Sequence, residues 1–283
     1  MLELQRSLGE LLRSKVAGDG AADRALQIWG KPGPRWFDRD DPIWRVHADA
    51  SMFVGGITAL LLQSLHPLAM AGVAGHSGYR SDPWGRLQRT SDYLAVTTYG
   101  TIPDAEAAIA KVRTVHERVR GRDERGRAYR ASDPHLLAWV HLAETDSFLR
   151  AYRAFGARPL TPAEADTYVR QTGVPARLLG VVDPPASVAE LSERLGGFRP
   201  ELEASPDARA AARFLLFEPP LPWLARPGYG TLAAGAVSLL PAWARSELGL
   251  PLPDALTDLV GPPLGRFSVE VVRWALSAIP DGR

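Results

Sequence analysis

The chain has 283 residues, of which 46% are hydrophobic and 23% charged, with a formal charge of +1 and no cysteine. A chain of this length buries a stable core without covalent staples. The missing thiols exclude disulfides, thiolate metal ligation and cysteine nucleophiles, and the balanced charge offers no basic surface for nucleic acid.

Leu2, Leu4, Leu8, Leu11, Leu12 and Val16 recur at helical spacing, and Gly18 and Gly20 end that run. Arg6, Glu10 and Arg13 break up any apolar leader core, which, with the lack of cysteine, predicts a cytoplasmic chain. Lys31-Pro32-Gly33-Pro34 reads as a rigid loop, and Pro42 precedes the next helix. Residues 52–74 form the longest apolar stretch, long enough to span a bilayer. Its middle carries Gln63, Ser64, His66 and Pro67, which predicts a helix buried in protein and kinked before Pro67 rather than a membrane span.

Asp82-Pro83 opens a helix that Gly100 stops. Pro103 opens another, expected to reach Arg120 before Gly121 ends it. Arg122 through Arg127 reads as a solvated turn. Ser132-Asp133-Pro134 caps a long helix to about Phe155, and Thr161-Pro162-Ala163-Glu164 is a capping-box start. Further helices are expected over residues 188–195, 208–217, 231–248, 254–259 and 267–278, with 218–227 extended. No alternating β-branched run appears, so the expected fold is all-α, a single helical bundle over residues 1–283.

Most catalytic signatures are absent. There is no P-loop and no G-x-G-x-x-G after a strand; Gly75-His76-Ser77-Gly78-Tyr79 misses the last glycine of a nucleophile elbow, and there are no paired E-x-x-H motifs. The six histidines, His47, His66, His76, His116, His135 and His141, all fall in the first half. His47 and His76 sit near helix ends, His135 in a first turn, and His66 is a buried-site candidate at the kink. His116 lies among Val112, Val115 and Val119 with Arg113 and Arg120 at i−3 and i+4. A neutral imidazole in an apolar wall with arginines nearby suits axial ligation of a haem iron, and it equally suits a hydrogen-bonded core histidine.

Arg86-Leu87-Gln88-Arg89-Thr90 on the preceding helix adds to this pattern. R-x-x-R-T followed by V-H-x-x-V-R-G, flanked by Leu65-His66-Pro67 and Asp133-Pro134, resembles the rubber oxygenase (latex-clearing) and MpaB oxygenase family over about residues 40–245. The resemblance implies an all-helical fold enclosing a haem pocket, with haem b iron held by His116 and Arg113 and Arg120 beside it. Arg86, Arg89 and Thr90 would line the distal side. Two departures stand out: Arg89 replaces the lysine of the latex-clearing members, and no acid lies between Met52 and Ser81, which leaves His66 as the available distal base. An arginine does not readily give up its proton to become a ligand. The implied activity is therefore oxidation of a small, largely apolar metabolite with O2, by alkene cleavage or a related reaction, with Trp139, Phe148, Trp223 and Trp243 as pocket walls. A haem-binding sensor or carrier without turnover, a peroxidase- or desaturase-type reaction, and a metal-free binding protein for a lipid-like ligand remain open at this point.

Overall fold

The computed structural model describes residues 2–18, 20–250 and 252–279. They form fourteen α-helices, two short 3-10 turns and one small hairpin, an all-α fold as expected. The helices are α1 (Leu2–Ala17), α2 (Ala21–Trp29), α3 (Pro42–His47), α4 (Met52–Gln63), α5 (Pro67–His76), α6 (Pro83–Tyr99), α7 (Ile102–Arg118), α8 (Pro134–Phe155), α9 (Pro162–Leu179), α10 (Val188–Gly197), α11 (Pro206–Phe217), α12 (Arg226–Leu239), α13 (Ala242–Glu247) and α14 (Asp254–Leu276). Proline at the first turn and a polar cap start many of them. Asp82 accepts from the Gly85 N–H, Asp133 from His135 N–H, and Thr161 and Glu164 complete a capping box on α9. Each cap satisfies an amide that the helix itself leaves unpaired.

Helix α4 packs on α8 and α12, α12 on α14, and α14 on α1. The α6–α7 hairpin packs along α1 and α9. Trp139 is fully buried in the main apolar cluster, with Val54, Leu61, Leu65, Leu149 and Tyr168. Trp139 and Phe148 are thus core residues, whereas Trp223 is 75% exposed and Trp243 lies under the Arg199 guanidinium, 4.3 Å from its ring centre.

The long apolar stretch is two helices, not one kinked helix. Backbone at His66 is extended, Pro67 starts α5, and α4 and α5 meet at 108°. The break frees carbonyls, and distant donors take them: Trp139 Nε1–H donates to Gln63 O at 3.0 Å, and the Glu203 N–H to Leu65 O at 2.9 Å. Among the described residues, no single helix is long and apolar enough to cross a membrane.

Several local expectations need correcting. Helix α7 ends at Arg118; Arg120 belongs to a strand, β1 (Arg120–Arg122), paired antiparallel with β2 (Ala128–Arg130). Its i+4 placement relative to His116 on a helix therefore fails. Asp123 accepts from the backbone of Arg125 and Arg127 and closes the tight turn of this hairpin. A helix over α2 was not expected, and α12 begins at Arg226, inside the stretch read as extended. It stops at Leu239, where Pro241 separates it from α13. Helix α14 is continuous through Pro262 and Pro263, which the local prohibition on interior proline hides.

Arg245 on α13 is buried, yet its carboxylate partners are not: it donates to Asp254 at 2.8 Å and Asp258 at 3.0 Å, both more than half exposed, and also to the buried Leu240 O. Because the two carboxylates can rehydrate, Arg245→Met should cost only about 1–2 kcal/mol, the scale of lost charged hydrogen bonds and not of a stranded buried ion. Urea denaturation measures this, and a loss above ~4 kcal/mol would show that the carboxylates are not free to rehydrate.

Candidate functional site

Helices α6 and α7 are joined through Gly100 and Thr101 only, so they run antiparallel and bring the start of α6 beside the end of α7. That geometry places Arg86, Arg89 and Thr90 at the same end of the hairpin as His116. His116 is half-buried; its Nδ1 is fully enclosed and makes no hydrogen bond among the described residues. Burial lowers its pKa, so the ring is neutral at pH 7 with a free lone pair. Arg86 is also half-buried. It donates to the Ser77 hydroxyl, and burial and the neighbouring Arg89 depress its pKa. Among the described residues no carboxylate pairs with it. Arg89 is exposed and paired with Asp82 at 3.2 Å, and the Thr90 hydroxyl donates back to Arg86 O at 3.1 Å. Arg113 is exposed and reaches Leu178 O at 3.4 Å; Arg120 is exposed on β1.

Helix α5 links the two arms. Ser77, its C-terminal cap, receives Arg86, and Gly72 faces Tyr129 and Val119, just beyond His116. Ala71, Gly72, Val73 and Ala74 are apolar or small and only half-buried. An unpaired buried imidazole nitrogen, a half-buried cation without a counter-ion and a small-residue apolar face fit a flat, anionic prosthetic group such as haem.

A second set of polar groups occupies the interior behind α6. Glu144 on α8 is half-buried, and burial raises its pKa to about 7. Gln63 on α4, whose amide donates to Val140 O at 3.3 Å, pulls it the other way. Its charge reaches Tyr93 and Tyr168, whose phenols are pushed up, mainly by burial. His47 bonds Thr98 Oγ1 at 2.8 Å and Tyr168 Oη at 3.3 Å, and burial drops its pKa to about 4. His141, one turn before Glu144, drops to about 4 through burial and then Arg177, and its Nε2 has no partner. Both histidines are less basic folded than unfolded, so the unfolded chain takes up protons between pH 6.5 and about 4 that the folded chain refuses. Stability should fall across that window, by at most about 3 kcal/mol per histidine. Urea midpoints taken from pH 7 to 4 check this, and a flat profile would contradict it.

His66 is brought to a third place. It is 3% exposed, and its described neighbours are His135, Trp139, Phe198 and Glu201, not Arg86, Arg89 or Thr90. Its Nε2 lies 3.5 Å from Glu201 Oε2 without hydrogen-bond alignment, and Nδ1 is unpartnered too. Leaving such groups unpaired costs about 1–3 kcal/mol.

A family profile described as "ER-bound oxygenase mpaB/B'/Rubber oxygenase, catalytic domain" matches residues 44–274. The chain belongs to this oxygenase family. The match covers α4 to α9 whole, and with them His116, Arg86, Glu144 and the break at His66. No curated protein and no solved structure matches the chain. Within this family setting, sequence reasoning missed Glu144 and Glu201. A glutamate three residues after His141 on a largely apolar helix was the available signal for the first, since carboxylates are rarely buried without purpose. For the second there was none, because its partners come from α5 and α8.

Proposed function

We propose that the protein is a haem b-dependent oxygenase that uses O2 to oxidise a small, largely apolar metabolite in the cytoplasm. The observation that carries this reading is His116: a neutral imidazole with an enclosed, unpartnered nitrogen, in a chain of an oxygenase family. His116 would hold the iron, and the bound haem would supply the oxygen chemistry. Arg86 would bind and orient an anionic group, a propionate or a substrate carboxylate, through its unpaired guanidinium. Arg113 and Arg120, both exposed and near the end of α7, would offer cations to the anionic groups of the haem. Arg89 and Thr90 would fix Arg86 and the α6 start in place.

The departure noted for the distal acid gains a candidate from the fold. Glu144 carries a pKa of about 7, where a carboxyl group can both hold and release a proton at neutral pH. We assign it the task of moving protons at its Oε atoms, with Tyr93 as a neutral neighbour. His66, in its separate cluster, takes no part in that step.

Purified protein should contain close to one haem per chain, and O2 uptake should require both haem and an apolar co-substrate. O2 uptake by haem-free protein would sink the haem assignment. Haem binding with no uptake across a broad set of alkenes and fatty acids would favour the sensor or carrier reading instead.

A further inference from the structure

We propose that His66, His135 and Glu201 form a second metal site, for a divalent first-row transition ion of zinc-like ligand preference, separate from the haem assignment. One ligand atom from each lies within 4.8 Å of the others. His135 Nε2 is 2.8 Å and His66 Nε2 3.5 Å from the same Glu201 oxygen. Ligand atoms around a tetrahedral zinc stand about 3.4 Å apart, so only a small outward adjustment of His135 and Glu201 is needed, and both are more than one third exposed and free to make it. Two imidazoles and one carboxylate suit zinc, and the same set with open positions suits ferrous iron.

The decisive feature is His66. It is almost completely buried, and neither ring nitrogen has a hydrogen-bond partner. Buried polar side chains in native proteins find partners, and Glu201 Oε2 is the acidic atom beside Nε2, at 3.5 Å. The surroundings hold the three ligands from three separate segments. The Glu203 amide bonds Leu65 O, which ties the Glu201 turn to the helix break. The His135 ring stacks on Phe198 with centroids 4.6 Å apart. The nearby cations are compensated: Arg127 is bound by Asp123 at 2.7 Å and approached by Glu203 at 3.6 Å, and Arg194, in the same pocket wall, pairs with Asp183 at 3.0 Å. His135 and Glu201 also line a pocket of about 250 Å³ whose walls include Leu142, Val181 and Phe198. Remaining coordination positions would open onto that pocket, where water or a small anionic ligand could complete the shell.

The test is calorimetric titration of the chelator-treated full-length protein with Zn2+, repeated with Co2+ to read its ligand-field bands. The expected result is one saturable site, retained in His116→Ala and weakened at least about tenfold in both His66→Ala and Glu201→Gln. Glu201→Gln changes an accessible side chain and keeps the test valid even if His66→Ala fails to fold. Absence of saturable Zn2+ binding to the wild type, or unchanged affinity in Glu201→Gln, overturns the proposal.

Discussion

Gly265→Val should destabilise the protein by more than about 3 kcal/mol, the upper range for overpacking. Gly265 on α14 meets Gly235 on α12 so closely that a Cβ at Gly265 would lie 2.9 Å from Gly235 Cα and 2.7 Å from Phe155 Cζ. One turn earlier, a Cβ at Gly261 would lie 2.4 Å from Ser238 Cβ. The obstruction is partly backbone, which cannot swing aside as a flexible side chain would. Since α12 in turn supports α4, the displacement would travel into the main core. Gly230→Ala on the same helix α12 provides the contrast: nothing lies within 4 Å of its added Cβ, so better helix propensity should stabilise by up to about 1 kcal/mol. Thermal or urea denaturation of both variants separates close approach from propensity. Equal small effects would show that α12 and α14 can part freely.

Glu144→Gln should raise stability and lower turnover together. The glutamate keeps its proton in the folded chain up to about pH 7, against an ordinary value of 4.5. Between those values the unfolded chain binds fewer protons than the folded one, so this group's contribution is complete below pH 4.5, falls as the pH rises and is lost above about 7. Holding the charge in place at pH 8 costs up to about 3 kcal/mol, and glutamine, isosteric and neutral, removes that cost. The gain should therefore be about 1–3 kcal/mol at pH 8 and near zero at pH 4. His47 and His141 act in the opposite direction over much of the same window, so the acid-induced loss should become steeper in the variant. If Glu144 moves a proton during turnover, the rate should drop about 10²-fold, and the limb near pH 7 in the rate profile should vanish. A variant with no stability gain at pH 8 would mean that the carboxylate is well solvated, and undiminished turnover would remove it from the reaction.

What the sequence disclosed divides along physical lines. Asp82-Pro83, Ser132-Asp133-Pro134 and Thr161-Pro162-Ala163-Glu164 announce helix starts because a cap is a local hydrogen bond between residues two or three apart. The His66–Pro67 break was legible for a similar reason, since proline constrains the residue before it. By contrast, Pro262-Pro263 reads as a stop, yet α14 runs through it, held by its packing with α12 along the Gly261–Gly265 face. The β1–β2 hairpin was hidden because Arg120-Gly121-Arg122 carries no strand propensity; Asp123 in its turn and the Tyr129 ring on β2, packed on Gly121, fix it.

The candidate site shows the same division. His116 and Arg86 sit on two helices joined by a two-residue connection and packed on each other, which sequence spacing reveals. Glu144 owes its raised pKa to enclosure by elements far away in the chain, and Glu201 meets His135 across 66 residues. Glu201 has no signal among its neighbours in sequence, and the apolar helix around Glu144 hints at burial without giving its extent, because burial is a property of the assembled helices.

The absorption spectrum of the purified protein, oxidised, reduced and with CO, beside that of His116→Ala, tests the central claim most directly. The expected result is an intense Soret band in the wild type that shifts on reduction and again with CO, and that is lost or displaced in His116→Ala while the helical circular dichroism is unchanged. A Soret band identical in the two proteins, or none in the wild type after reconstitution with haem, would contradict it.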